Sequence, residues 1–261
     1  MSALTPKADI DQRVPHVRFV PEADIPTNSN CSSEAQLVNP RLNWCLVIRP
    51  HGIMAVNAST PQVLLDAADI SAISQLVLLE RESRDLGRWQ RMRACFHPDS
   101  RVKLSWFNGS GAEFVEGSID MARRGMLAKH RLGPPLVRLA GNRAVASLSA
   151  IIDIPDALAG VEVQLSSHAR FLYRTEKRDG RWGISFFDAI YLRDELTTAI
   201  PGPMVPIAPA DLKPFRASYR MLSYLLSLKG YAVNNDLSGE DRPETVTAMN
   251  TEIYGWAGIE P

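Results

Sequence analysis

From residue 66 the chain carries a clear apolar period. Ile70, Ile73, Leu76 and Val77 fall on one face of a helix expected to run from Asp66 to about Arg84. Gly87 breaks it, and Trp89, Met92 and Phe96 continue an apolar stripe on a second short helix. Pro98-Asp99-Ser100 reads as a turn. Val102, Leu104 and Trp106 then alternate with Arg101, Lys103 and Ser105, as in a half-buried strand. Asn108 to Gly111 reads as a loop. Glu113 to about Leu127 reads as a short strand and then a helix with Ser118 at its N-cap.

Beyond that point strands dominate. Leu136–Leu139 and Ala144–Ile154 flank Gly141-Asn142, and Val161–Glu176 and Arg181–Leu192 flank Asp179-Gly180, two strong hairpin signals. Helices followed by a meander of long strands predict an α+β fold with a mainly antiparallel sheet packed on helices, without βαβ units. Pro201-Gly202-Pro203 opens a tail, residues 200–261, with two helices expected. One spans Leu212–Lys229, with Phe215, Tyr219, Leu222 and Leu226 on one side; the other follows Pro243 and carries Val246, Met249, Ile253 and Trp256. Two such helices are marginal alone and should dock on the main domain or on a second subunit.

Residues 1–60 differ. Six prolines, with a seventh at Pro61, and a polar Thr27–Asn30 stretch interrupt any period, and Pro6–Ile10 returns as Pro21–Ile25. Such a segment buries too little to offset its ordering entropy. The expectation is that residues 1–53 are disordered or not made, with Met54 as an alternative start.

Composition narrows the function classes. Lys plus Arg and Asp plus Glu both number 29, so the net charge is zero and nothing electrostatic draws the whole chain to nucleic acid or an anionic membrane. No uninterrupted apolar run approaches the ~20 residues of a membrane span, and the N-terminus has no signal-peptide pattern. Cys31, Cys45 and Cys95 lack the spacing of a disulfide framework or zinc site, which fits a cytoplasmic protein. The five histidines show no metal-ligand spacing, and neither phosphate-binding glycine motifs nor a G-x-S-x-G elbow occur. No metal or cofactor is expected.

What remains is acid–base chemistry in an apolar pocket. Asp85 ends the first helix, just before Gly87 and Trp89. If Trp89 and Trp106 shield it from water, it becomes a better general base. Its polar neighbours favour the plainer reading, an exposed helix-terminal aspartate. His130, in Lys129-His130-Arg131-Leu132-Gly133, is read equally as a proton shuttle or as a loop histidine among cations. His97, before Pro98, reads as exposed or capping. His168 alternates with the polar face of its strand and should point away from the core, unless a β-bulge intervenes. Asp188 alternates with Ile184, Phe186 and Ile190, the inward set, where it should pair with an arginine or contact a ligand.

The stretch Leu79-Glu80-Arg81-Glu82-Ser83-Arg84-Asp85-Leu86-Gly87-Arg88-Trp89, with Phe96-His97-Pro98-Asp99 and the Asp179-Gly180-Arg181-Trp182 turn, resembles SnoaL-like domains of the nuclear-transport-factor-2-like superfamily. The resemblance covers residues 66–199. It implies a cone of three helices against a strongly curved, mainly antiparallel sheet enclosing a pocket, and a homodimer formed through the outer sheet face. Matched to the scytalone dehydratase pattern, Asp85 falls on the pocket aspartate and His130 on its partner histidine, a pair that abstracts a proton and expels water next to a carbonyl. The chain departs from that pattern elsewhere. Leu148 stands where a second histidine is found, Arg84 and Leu104 stand for two water-holding tyrosines, and Phe171 for a substrate-binding asparagine.

The resemblance therefore implies a cofactor-free lyase or isomerase acting by dehydration, isomerisation or cyclisation on a small hydrophobic carbonyl compound. Asp85 and His130 would be its catalytic residues, and Trp89, Leu104, Trp106, Phe171 and Asp188 its substrate contacts. The alternatives are a non-enzymatic small-molecule binder and a dimerisation module whose pocket is filled by side chains. His168 and Arg170 are expected on the outer, dimer-forming face.

Overall fold

The computed structural model describes residues 61–202, 204–205 and 207–261, together with the backbone of three strands nearer the N-terminus. Those strands, β1 (Ala35–Asn39), β2 (Trp44–Arg49) and β3 (Gly52–Val56), form an antiparallel sheet in the order β1-β2-β3 and belong to a separate compact unit. The sequence reading placed no strand there. Most of the segment expected to be disordered or absent lies outside the described residues.

The second unit begins at Pro61 with α1 (Gln62–Asp85) and α2 (Trp89–Ala94). These are followed by β4 (Phe96–Leu104), β5 (Phe107–Ser110), α3 (Gly111–Arg123) and β6 (Lys129–Leu132). Next come β7 (Leu136–Ala140) and the long strands β8 (Arg143–Leu158), β9 (Val161–Arg178) and β10 (Arg181–Thr198). The tail supplies α4 (Pro209–Leu212), a 3-10 turn at Ala217–Tyr219, α5 (Arg220–Leu228) and α6 (Pro243–Trp256). The sheet runs β5-β4-β10-β9-β8-β6, with β7 also on β8. Only the β4–β10 pair is parallel. The fold is α+β with a curved, mainly antiparallel sheet.

Local chemistry explains several boundaries. The β9–β10 hairpin turns at Asp179 and Gly180, whose φ angles of 50° and 75° suit the tight turn that Asp-Gly favours. The third helix starts earlier than Ser118. Ser110 caps it, accepting from the Glu113 N–H while the Glu113 carboxylate accepts from the Ser110 N–H. Ser118 instead donates its hydroxyl to Phe114 O, inside the helix. The expected turn at Pro98 is part of β4, which makes His97 a buried strand residue. Its Nε2 lies 3.0 Å from Glu176 O, and its ring fills the space beside Gly183, where a Cβ would meet it at 2.6 Å.

α1 is long and apolar enough, by length and mean hydropathy, to cross a membrane. It is nevertheless fastened to the sheet. Asp69 accepts hydrogen bonds from Lys177 Nζ and Trp182 Nε1, each at 2.8 Å, and Ile73, Val77, Glu80 and Arg81 are buried.

Two apolar clusters lie on opposite faces of the sheet. The larger one is on the inner face, against α1, α3 and α5. The smaller joins Val145, Leu172 and Ile190 to Ile253 and Tyr254 of α6. α6 thus covers the middle of the outer face. His168, 3.2 Å from Glu195, and the exposed Arg170 lie on the outer face outside that cluster, so β9 keeps the parity expected of it.

Strand β10 does not keep its parity. A register shift between Ile184 and Phe186 sends Phe187, Ala189 and Tyr191 into the main core and turns Phe186 and Ile190 to the α6 side. Asp188 goes with them. The expectation that Asp188 faces the pocket is corrected: the bulge reverses the side chains that follow it, up to a second register shift between Tyr191 and Arg193.

Candidate active site

α1 ends in a paired closure. The Gly87 N–H donates to Arg84 O at 3.2 Å and the Arg88 N–H to Ser83 O at 2.7 Å, with Gly87 at φ +66°. This stop fixes Asp85 at the last helical position, where the helix dipole opposes a carboxylate. Two hydrogen bonds from one residue compensate. The His130 backbone N–H donates to Asp85 Oδ2 at 2.7 Å, and His130 Nδ1 lies 2.6 Å from Oδ1. β6 makes this possible. Pairing of His130 with Ile152 on β8 holds the imidazole under the sheet with its side chain 4% exposed. Asp85 itself is 14% exposed, so the plain reading of an aspartate in solvent does not hold. Lys129 Nζ also reaches the Asp85 carbonyl.

The electrostatics follow from the packing. Burial acts to raise the Asp85 carboxyl, but the hydrogen bonds and charge of His130, with Arg84, hold it below its ordinary value. Burial pushes the His130 imidazole down to about 4; Asp85 opposes this, while Arg81 and Arg84 add to it. At neutral pH the pair is a carboxylate and a neutral imidazole. The Nδ1–H then faces Asp85, and Nε2 is left as the basic nitrogen, with no hydrogen-bond partner among the described residues.

One turn earlier on α1 sits a buried ion pair. Arg81 donates from Nε to Glu80 Oε2 at 2.5 Å and from Nη2 to Oε1. Its guanidinium stands 4.8 Å from the Phe187 ring centre and 5.4 Å from that of Phe114.

Arg81, Arg84 and His130 border a cavity whose other walls are largely apolar, among them Leu104, Trp106, Phe114, Ile152, Phe171, Leu222 and Leu226. The cavity is small, about 40 Å³, room for roughly three waters. Leu222 and Leu226 of α5 help to fill it. Two open grooves meet the same residues from outside. One, of about 500 Å³, includes Asp85, His130, Arg81 and Leu132; the other, of about 390 Å³, includes Arg84, Asp85, Trp89 and Met126. The dyad therefore stands between a closed interior and open surface.

Residues 66–188 match the model of the SnoaL-like domain. An uncharacterised protein of Emericella nidulans is 30% identical over 168 residues, which span 61% of this chain and 71% of that protein. The chain belongs to the SnoaL-like family. Pea pathogenicity protein 2 of Fusarium vanettenii is 27% identical over 164 residues, covering 61% of this chain and 70% of that one. Among solved structures, an NTF2-like protein with a cystatin-like fold from Novosphingobium aromaticivorans is 16% identical. It covers 49% of this chain and 84% of its own, with a TM-score of 0.41.

The SnoaL-like match runs from α1 into β10, so α5 and α6 lie outside it. α5 is nonetheless held to the matched region, since its Leu222 N–H donates to Asp194 Oδ2 of β10 at 2.8 Å. Of the residues expected to contact substrate, the structure places Leu104, Trp106 and Phe171 on the cavity wall. Trp89 lines the outer groove instead, while Met92 of the same short helix is buried in the main core. Asp188 lies beyond the sheet, on the α6 side. Three of the positions that depart from the scytalone dehydratase pattern, Arg84, Leu104 and Phe171, face the cavity; Leu148 is packed in the core. The sequence reading gave no role to Glu80 and Arg81, and it set Leu222 and Leu226 on the docking side of a tail helix without assigning them to the cavity wall. A signal existed for the first two: charged residues at the helical spacing of Ile73 and Val77, on the buried face. Among the described residues no cluster of three or more His, Cys, Asp or Glu could hold a metal.

Proposed function

We propose that this SnoaL-like protein is a cofactor-free lyase or isomerase in which His130 Nε2 takes a proton from carbon next to a carbonyl. Asp85 fixes the imidazole tautomer and stabilises the imidazolium that forms. The proton can then be returned to a leaving hydroxyl, giving dehydration, or to another carbon, giving isomerisation; an enolate held there can also close a ring. The observation that carries the reading is the 2.6 Å Asp85–His130 contact on the wall of an apolar cavity. A buried carboxylate and imidazole, both close to buried arginines, are costly to assemble for packing alone.

The substrate would be a small hydrophobic carbonyl compound meeting Leu104, Trp106 and Phe171. It would enter through the outer grooves, with α5 shifting to enlarge the interior. The test is to incubate the protein in D₂O with apolar ketones and aldehydes bearing a β-hydroxyl group. The reading requires water loss or α-deuteration by the wild type and none by His130→Gln; no chemistry with any compound, in a folded protein, argues against it.

A second reading has its own support. A cavity of about 40 Å³ is far below the roughly 300 Å³ of ordinary ligand sites. That favours a packing or dimerisation module whose pocket is filled from within. Leu226→Ala separates the two. An enzyme should then accept larger ligands, whereas a filled core should only lose stability.

A further inference from the structure

Arg81 and Arg84 lie one turn apart on α1, both buried and both on the cavity wall, yet their surroundings differ. Arg81 is neutralised by the forked contact with Glu80. Arg84 has no such partner. Its one hydrogen bond among the described residues runs from Nη2 to Met121 Sδ at 3.3 Å, and thioether sulfur is a weak acceptor. The nearest carboxylate oxygen, Asp85 Oδ1, is 3.9 Å from Nη1 and is already engaged by His130. Arg84 is only 9% exposed, so most of the side chain is withdrawn from bulk water. A guanidinium has five donors in a fixed fork, and here nearly all of them lack an acceptor.

We propose that Arg84 is an anion-binding residue and that the cavity takes a small apolar carboxylic acid, its carboxylate paired with this guanidinium. The proposal rests on the reading of the cavity as a ligand site, but not on the proton-transfer step. The surrounding groups agree with it. Glu80 is spent on Arg81, both Asp85 oxygens are spent on His130, and the remaining wall is largely apolar. A carboxylate offers two oxygens in the geometry the fork requires, while Leu104, Trp106 and Ile152 accept the hydrocarbon part. Arg84 also borders the outer groove of about 390 Å³, so an acid can meet the guanidinium on its way in. Joined to the dyad's chemistry, the substrate class narrows to carbonyl compounds that also carry a carboxylate.

Butyrate and butyramide make a suitable probe pair, alike in size and shape and different in charge. Their binding is followed by titrating the Trp106 indole signal in NMR. The wild type should prefer butyrate by about tenfold or more, the worth of one charge-assisted pair. Arg84→Met should reduce the preference to less than about twofold and leave butyramide binding unchanged. Arg84→Gln, with folding checked by thermal melting, is the second variant if methionine is not tolerated. Asp85→Asn should keep the preference while lowering any turnover by about 10²–10⁴-fold, which separates this inference from the catalytic one. Equal binding of the two probes to wild type, no binding of either, or a preference that survives in a folded Arg84 variant overturns it.

Discussion

Asp85 and Asp188 are both carboxylates withdrawn from water by the same domain, one under each face of its sheet, and they titrate in opposite directions. Asp85 has two donors from His130 and the charge of Arg84 nearby, and it stays below its ordinary value despite burial. Asp188 has one hydrogen bond, from the Ala189 N–H at 2.6 Å, and burial pushes it up to about 7. Lys103 and Arg174 pull it down, but Glu252 of α6 pushes with the burial. Depth alone decides neither case; the donors supplied by neighbouring elements do. The inner face supplies them through β6, and the outer face, closed by a helix that brings Glu252 rather than a donor, does not. A carboxylate with oriented donors beside a neutral imidazole fits the proposed proton transfer, whereas a poorly satisfied one beneath a helix is a local weakness.

The largest expected break in this contrast is catalytic. Asp85→Asn and His130→Gln should each lower turnover by about 10²–10⁴-fold, whereas Asp188→Asn should leave it within about twofold of wild type. A comparable loss in all three would mean that the variants act through folding. Next in size is the inner wall itself. Leu226→Ala, at a side chain 1% exposed, should cost about 2–5 kcal/mol in denaturant unfolding; a loss under about 1 kcal/mol would show that α5 does not close the cavity.

The pH dependence sharpens the contrast further, because the two groups have opposite signs. His130 titrates lower folded than unfolded, so stability is lost as pH falls from about 6.5 toward 4, at no more than about 1.4 kcal/mol per pH unit for one proton. Asp188 titrates higher when folded, so its contribution is full below the unfolded value near 3.8 and is lost as pH rises through about 7. Asp188→Asn should therefore raise stability at pH 8 by about 1–3 kcal/mol and flatten the loss on that side. An unchanged profile would remove Asp188 from the account. The smallest effect belongs to Arg131→Ala, next in sequence to His130 but 64% exposed in its pair with Asp153. It should stay within about 1 kcal/mol.

Much of this was legible in the residues. The apolar period of α1, the Asp-Gly hairpin and the run of long strands gave the order of elements. Gly87 marked where α1 ends and so where Asp85 stands. The dyad itself was not visible locally, since Arg84-Asp85-Leu86-Gly87-Arg88 reads as solvent-facing; only the match to a family pattern brought His130 to it. β6 is short and bounded by Gly133, and its pairing with β8 depends on contacts distant in sequence. The start of α3 had a local signal, Ser110 and Glu113 in capping-box spacing, that the polar look of Asn108–Gly111 obscured. Asp188 was misplaced because a bulge leaves no mark on a period-2 pattern. The role of α5 depends on where a 28-residue strand-to-tail separation, Asp194 to Leu222, folds back.

The central claim concerns the state of one ring. ¹⁵N NMR of the imidazole nitrogens, with His130→Gln to assign the signals, reads it without a substrate. The account predicts a neutral His130 at pH 6, protonated at Nδ1 with Nε2 bare, and titrating only as pH approaches about 4. A ring carrying its proton on Nε2, or one that is charged near pH 6.5 like a histidine in water, would contradict it.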